Sequence, residues 1–211
     1  MTSDVQGSYD RVAKEYVQHI YDELKNKPFD RKMLDWLIEK VNRLGTICDM
    51  GCGPGQIAHY LHEHGADTCG VDLSMGMITE ARQLNPDIPF HQGNMLALTD
   101  IPDGAFGGIA AFYSIVHIPR EQVSQALSEF KRVLAPNGVL LMAFHLGHET
   151  VHRDEWWGEK VSVDFIFFER EEMKMYLQSV GFVIDEAIER DPYPDVEFES
   201  RRAYIFAHRP S

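Results

Sequence analysis

Three groups of residues in this 211-residue sequence have the types and spacing that chemistry needs. The first is Asp49-Met50-Gly51-Cys52-Gly53-Pro54-Gly55, with glycine at every second position directly after the short apolar run Thr46–Met50. Glycine lets the backbone bend sharply and lets a ligand approach with no Cβ in the way. The second is a pair of carboxylates, Asp49 inside that run and Asp72 at the end of the next one. A carboxylate at the latter position can accept hydrogen bonds from both hydroxyls of an adenosine ribose. The third is a set of side chains that could move a proton, Tyr113, His117 and His145, each close behind an apolar run. His145, His148, Glu149 and His152 are also metal-ligand types. Their spacing, His-x-x-His-Glu-x-x-His, reads as unlike a zinc-protease helix, and Gly147 opposes a rigid helix there. The segment is expected to be a polar loop without metal.

These residues need elements that bring them together. Residues 5–43 show helical spacing in Tyr9, Val12, Ala13, Tyr16, Val17 and Ile20, interrupted at Pro28 and resumed from Met33 to Val41. The period then changes. Residues 46–50 predict a buried strand, 55–64 a helix closed by Gly65, and 67–72 a strand ending at Asp72. Ser74 caps a helix through about Leu84, and 88–91 and 106–112 are strands. Pro119 opens a helix through Leu134, Pro136-Asn137-Gly138 is a turn, and 139–145 is the most apolar strand. Such βαβα alternation implies a doubly wound α/β fold with a parallel sheet and helices on both faces. Residues 146–160 read as an irregular excursion, and the alternation of Val161, Val163, Phe165 and Phe167 as an edge strand or lid hairpin. A helix over 169–180 and strands over 182–188 and 202–207 complete the chain. With no repeat or linker, one domain is expected: N-terminal helices over 1–43, a ligand-binding core over 44–145, a substrate-side insertion over 146–168, and a C-terminal helix and strands over 169–211.

Composition narrows the class. A hydrophobic content of 44% supports a proper core, and a net charge of -13 repels nucleic-acid phosphates and anionic lipid heads. Three cysteines, Cys48, Cys52 and Cys69, form no disulfide framework and fit a reducing cytoplasm. No secretion signal and no membrane span are read.

The motif Asp-Met-Gly-Cys-Gly-Pro-Gly resembles the first motif of class I methyltransferases that use S-adenosylmethionine. The resemblance continues in order through Val71-Asp72-Leu73-Ser74, Gln92-Gly93-Asn94-Met95, Ala110–His117 and Leu134-Ala135-Pro136-Asn137-Gly138, covering about residues 46–145. It implies a mostly parallel seven-stranded sheet of the Rossmann-like methyltransferase type. It implies that Asp49 and the Gly51–Cys52–Gly53 backbone face the methionine part of the cofactor, and that Asp72 holds the ribose. Leu73 and Met77 would sandwich the adenine, Asn94 would accept from its amino group, and Met95 would offer its amide. The Phe112 carbonyl would take the cofactor's ammonium, with Tyr16 and Arg31 reaching its carboxylate end. Asn94 stands where many relatives have Asp, which keeps the acceptor oxygen and loses the charge. S-adenosylhomocysteine would be the product.

Transfer from a sulfonium is in-line and needs mainly alignment and exclusion of water, with a base only for a protic acceptor. His117, His145 and Tyr113 are the candidates for that base. Ala111-Phe112-Tyr113-Ser114 stands where base and glutamine N-methyltransferases of this fold carry an Asn-Pro-Pro-Tyr-like tetrapeptide. With the acidic charge, this points to a small-molecule acceptor, with no nucleic acid and no membrane as partner. Whether oxygen, nitrogen or carbon is methylated stays open, as does the oligomeric state. Two alternatives stand beside the enzyme: a regulatory protein that keeps the fold without turnover, and a dinucleotide-binding dehydrogenase. The latter wants Gly-x-Gly-x-x-Gly, which Gly51, Gly53 and Gly55 do not supply.

Overall fold

A computed structural model describes residues 3–211. Helix α1 (Val5–Ile20) starts where the Asp4 carboxylate accepts from the Gly7 N–H, and a 3-10 turn (Glu23–Asn26) separates it from α2 (Pro28–Val41). Pro28 occupies the first turn of α2, where its missing N–H leaves no intrahelical bond unmade. The expected alternation follows: β1 (Ile47–Met50), α3 (Gln56–Glu63), β2 (Thr68–Asp72), α4 (Met75–Leu84), β3 (Phe90–Gln92), β4 (Phe106–Phe112), α5 (Arg120–Val133) and β5 (Leu134–His145). Ser74 caps α4, its Oγ accepting from the Met77 N–H at 3.1 Å.

The last third contains β6 (Thr150–Trp156), β7 (Glu159–Ile166), α6 (Arg170–Ser179), β8 (Val183–Arg190) and β9 (Arg202–His208). Seven strands form one sheet in the order β3-β2-β1-β4-β5-β9-β8. The strands from β3 across to β5 are parallel, and β9 runs antiparallel between β5 and β8. Alternate side chains of the central strands face opposite ways, as a period of two requires. Ile109, Ala111, Leu140 and Met142 pack with α5 and α6, while Ala110, Phe112, Leu141 and Ala143 pack with α2 and α3. Strand order reverses between β1 and β4, and the crevice at the carboxyl ends of those strands is where such sheets bind ligands.

Two expectations are corrected. The segment 146–160 is not irregular, because β6 pairs antiparallel with β7 in a hairpin outside the main sheet. Its residues are mostly exposed and polar, so no apolar alternation marks it. The hairpin turns through Trp157 and Gly158, both with positive φ, as a tight two-residue turn demands. The Pro136–Gly138 turn is also part of β5, whose register against β4 shifts between Phe106 and Gly108.

The hairpin is tied to α1. The Asp4 N–H donates to the Ser162 carbonyl at 2.7 Å, the Ser162 N–H to Ser8 Oγ at 2.9 Å, and Arg11 Nε to the Lys160 carbonyl at 2.9 Å. Val12, Ala13, Met77, Val161 and Val163 form a small core beneath these bonds, flanked by Tyr9, Tyr16, Trp156, Trp157 and Phe165. Among the described residues, no helix is long and apolar enough to cross a membrane.

Candidate functional site

The glycine turn is shaped as the sequence implies. Gly51, Gly53 and Gly55 have φ of 78°, 52° and 88°. The Gly51 and Cys52 N–H groups donate to the Val71 carbonyl, which ties the turn to β2. Across it, the Asp72 carboxylate accepts from the Gly53 N–H and from the Ser74 N–H, both at 2.8 Å. Each carboxylate oxygen has a second lone pair for a ligand. Burial raises the Asp72 pKa, opposed by these same N–H groups.

A Cβ on Gly51 would lie 2.3 Å from the Ser114 Cβ, so Gly51→Ala adds a clash with that side chain to a left-handed conformation. The expected loss is about 1–2 kcal/mol for the backbone and about 1–3 kcal/mol for overpacking. Gly65→Ala is the control, since its φ is also positive but nothing lies within 4 Å of the added carbon. Urea unfolding should rank Gly51→Ala well below Gly65→Ala, and equal losses would mean that Ser114 yields.

The turn opens into a cavity of about 740 Å³, within the usual range for small-molecule sites. The structure brings most of the predicted residues to its wall. Gly51, Cys52 and Gly53 form one side, and Asp72, Leu73, Asn94 and Met95 the next. Tyr16 of α1, Phe112 and Tyr113 near the end of β4, His117 in the 3-10 turn that follows, and His145 at the end of β5 also stand on it. Asn94 Oδ1 already accepts from the Leu96 N–H at 2.9 Å, leaving one lone pair.

Three predicted residues lie off the wall. Asp49 is 1% exposed and turned the other way, accepting from the Ala58 N–H of α3 at 3.1 Å. Burial pushes its pKa up to about 8, against that N–H. It holds the helix that carries the turn. Met77 packs in the small core under α1. Arg31 Nη1 donates to the Leu24 and Lys25 carbonyls and so fastens the 3-10 turn to α2.

Sequence reasoning missed Gln56 and Ser114. Both line the cavity, and Gln56 Oε1 and Ser114 Oγ are buried polar atoms without a partner. Such atoms are costly unless a ligand or water meets them. Gln56 directly follows the glycine turn, which is the signal that could have found it. Also unforeseen is a charged network on the far side. Arg190 donates to Asp30 at 2.8 Å, to both oxygens of Glu197 at 2.8 and 2.6 Å, and to the Tyr204 hydroxyl at 2.9 Å. Lys27 bridges Glu23 at 2.5 Å, and Lys27, Glu23, Glu197 and Arg202 all reach the cavity wall. No local pattern in the sequence joins residues so far apart.

The proton-transfer candidates separate by geometry. The Tyr113 backbone is left-handed, with φ of 52°, which is rare for a bulky side chain. Its hydroxyl points to the Tyr204 hydroxyl at 3.2 Å and to Asp30 at 3.4 Å, so its ring rather than its oxygen serves the cavity. His145 Nδ1 pairs with Ser200 Oγ at 2.7 Å, and its ring stacks on Phe167. Burial, then Arg202 and Lys27, lower its pKa to about 3. His117 Nδ1 meets the Asp164 carbonyl at 2.9 Å, and Nε2 meets the Tyr9 hydroxyl at 2.8 Å. Burial lowers its pKa to about 4.

His148-Glu149-Thr150-Val151-His152 does carry the His-Glu-x-x-His spacing. That spacing gathers ligands on one face only in a helix, and here it runs into strand β6. His148 faces Glu169 and His152 bonds Asp164. Among the described residues, no group of three or more His, Cys, Asp or Glu could hold a metal ion.

Residues 47–138 match a family described as a methyltransferase domain. The dTDP-3-amino-3,4,6-trideoxy-alpha-D-glucopyranose N,N-dimethyltransferase of Streptomyces venezuelae is 28% identical over 62% of this chain and 50% of its own length. Malonyl-(acyl-carrier protein) O-methyltransferase of Enterobacter lignolyticus is 28% identical over 64% and 51%, respectively. The chain spans about half the length of the curated relatives it matches. In fold, it is similar to a solved SAM-dependent methyltransferase from Methanosarcina mazei, with a TM-score of 0.73, 17% identity, and coverage of 82% of this chain and 97% of that one.

Proposed function

We propose, on the premise that this chain carries a class I S-adenosylmethionine-dependent methyltransferase domain, that it transfers a methyl group from that cofactor to a small-molecule acceptor. The observation that carries the reading is the Asp72 carboxylate hydrogen-bonded to the Gly53 N–H on the wall of the cavity. There a glycine turn without side chains stands beside an acceptor suited to ribose hydroxyls.

The residues present fit the cofactor. A Cβ at Gly53 would stand 3.9 Å from Gln56 Oε1 and from the Tyr16 ring, so the bare turn leaves that part of the cavity to a ligand, and the unpartnered Gln56 Oε1 can accept from an ammonium. Lys27 is a cation on the wall able to meet a carboxylate, although Glu23 now holds it. Leu73 and Met95 supply apolar contact for a base, and Asn94 a further acceptor. When bound, the cofactor supplies an electrophilic methyl on a positively charged sulfur. The chain's task is then to orient an acceptor and exclude water. The α1 roof and the β6–β7 hairpin do this with Tyr9, Tyr16, Trp156 and Phe165.

The two named relatives methylate nitrogen and oxygen, respectively, so relationship does not choose the acceptor atom. A small acceptor is supported by the roofed cavity and by the net charge of -13, which opposes a polyanionic partner.

Thermal unfolding with S-adenosylmethionine, S-adenosylhomocysteine and oxidised nicotinamide dinucleotides tests the cofactor. A ligand at about 100 times its Kd should add roughly 2.7 kcal/mol and raise the midpoint. A rise with the adenosyl compounds alone is the expected result. A rise only with the dinucleotides would return the glycine turn to a dehydrogenase.

A further inference from the structure

We propose that Tyr9 and His117 form a proton-transfer couple that receives the proton of a hydroxyl acceptor, so that this cavity takes an alcohol or a phenol; this deepens the methyl-transfer reading and rests on it. The direction of the hydrogen bonds carries the argument. The Asp164 carbonyl can only accept, so His117 Nδ1, 2.9 Å away, must carry a proton. In the neutral ring, Nε2 is then a lone pair, and the Tyr9 hydroxyl 2.8 Å away donates to it. The Tyr9 oxygen keeps its own lone pairs, and both residues line the cavity. A phenol that donates to an imidazole while facing a ligand can take one proton and release another.

Burial keeps the couple neutral, although the carbonyl and the carboxylate of Asp164 both favour a charged imidazole. Burial lowers the His117 pKa to about 4 against the pull of the Asp164 carbonyl. Burial, then the Asp72 charge, raise that of Tyr9. The Asp164 carboxylate on β7 is turned to His152, and His145 on β5 is held neutral by its own burial. Tyr16, Trp156 and Phe165 pack edge-on against the pair.

The chemistry of the acceptor follows. As the acceptor oxygen forms its bond to the methyl carbon, the carbon–sulfur bond breaks and its electron pair stays on sulfur. The acceptor proton passes to Tyr9 Oη while the Tyr9 proton moves to His117 Nε2. The positive charge lost from sulfur thus ends on the imidazolium, whose Nδ1–H stays on the Asp164 carbonyl. A hydroxyl gaining a methyl group becomes a far stronger acid than imidazolium, so even this weak base takes its proton. A basic amine arrives as an ammonium with a pKa of about 10, which has no lone pair for the methyl carbon until it loses a proton, and a buried imidazole whose own pKa is lowered is a poor base for that step.

Nitrogen NMR of the histidine-labelled full chain reads the couple directly. At pH 7, His117 should be neutral and protonated on Nδ1, and Tyr9→Phe should move the Nε2 resonance with Nδ1 almost unchanged. An imidazolium, a proton on Nε2, or an Nε2 resonance indifferent to Tyr9→Phe overturns the proposal. In parallel, the protein with S-adenosylmethionine is offered a panel of simple alcohols, phenols and primary amines. S-adenosylhomocysteine should be released with hydroxyl members only, and 10²–10⁴-fold more slowly in Tyr9→Phe and His117→Gln. Release with amines that survives Tyr9→Phe overturns the proposal, and if no panel member reacts the NMR result decides. Absence of any midpoint rise with S-adenosylmethionine sinks the parent reading, whereas a retained rise with the wrong tautomer sinks the couple alone.

Discussion

Arg190→Met is expected to cost the fold about 3–5 kcal/mol at neutral pH, because it strips buried Asp30 of its cation and leaves Glu197 with only the more distant Arg202 and Lys27. Asp30 is 1% exposed, the Glu197 side chain 0%, and Arg190 binds both. The penalty should depend on pH in a defined sense. Burial alone would raise the Glu197 pKa, but hydrogen bonds from Arg190 and the Tyr193 N–H, together with Arg202, bring it down to about 2. A carboxyl group depressed from its ordinary value of about 4.3 stabilises the fold above that value. This contribution is lost as pH falls through about 2. The gap between wild type and Arg190→Met should therefore be full at pH 7 and should narrow from about pH 5 downward as Glu197 protonates in the variant. Urea unfolding at pH 7 and pH 3 measures it. A loss under about 1 kcal/mol at pH 7, or a gap that widens on acidification, would show that the network does not hold the wall. The consequence reaches the site, since Glu197 anchors the loop between β8 and β9 that lines the cavity.

Asp72→Ala should weaken S-adenosylmethionine binding by about 1–3 kcal/mol for one lost buried acceptor, which is roughly 5- to 150-fold in Kd. The structure adds a second cost, because the Gly53 and Ser74 N–H groups lose their acceptor and the turn is no longer held. Asp72→Asn separates the two. Its amide oxygen can still accept from one N–H, so the turn should persist while ligand affinity falls. Calorimetric titration with S-adenosylhomocysteine, alongside unfolding of the free variants, measures both effects. An unchanged Kd in Asp72→Ala would remove Asp72 from the ligand site and leave it as a brace for the turn.

Much of this was legible from local pattern. Strand β4 lies over Phe106–Phe112 as read, because a buried parallel strand is apolar on both faces and glycine bounds it. Ser74 was visible as a cap because a hydroxyl at that position has a nearby backbone N–H to bind. Strand β6 was not visible, since its pairing with β7 is stabilised under a roof of aromatics and its own residues face water. Asp49 and Met77 belong to the recognised motifs, yet motif membership does not say which way a side chain turns. The α3 N–H takes the carboxylate of one, and the core beneath α1 takes the thioether of the other.

The sequence by itself determined the order of strands and helices apart from β6, the glycine turn and the carboxylate that faces it. These are set by periodicity and backbone freedom within a few residues, and short-range physics leaves them little choice. Only the tertiary structure decided which histidine is paired and in which tautomer, and that Tyr9, 108 positions away, is its partner. It alone closed Asp30, Arg190, Glu197 and Tyr204 into one buried network. Those contacts exist because sheet order and the α1 roof carry distant segments to the same crevice. Burial there sets hydrogen-bond direction and protonation, which no local window of sequence contains.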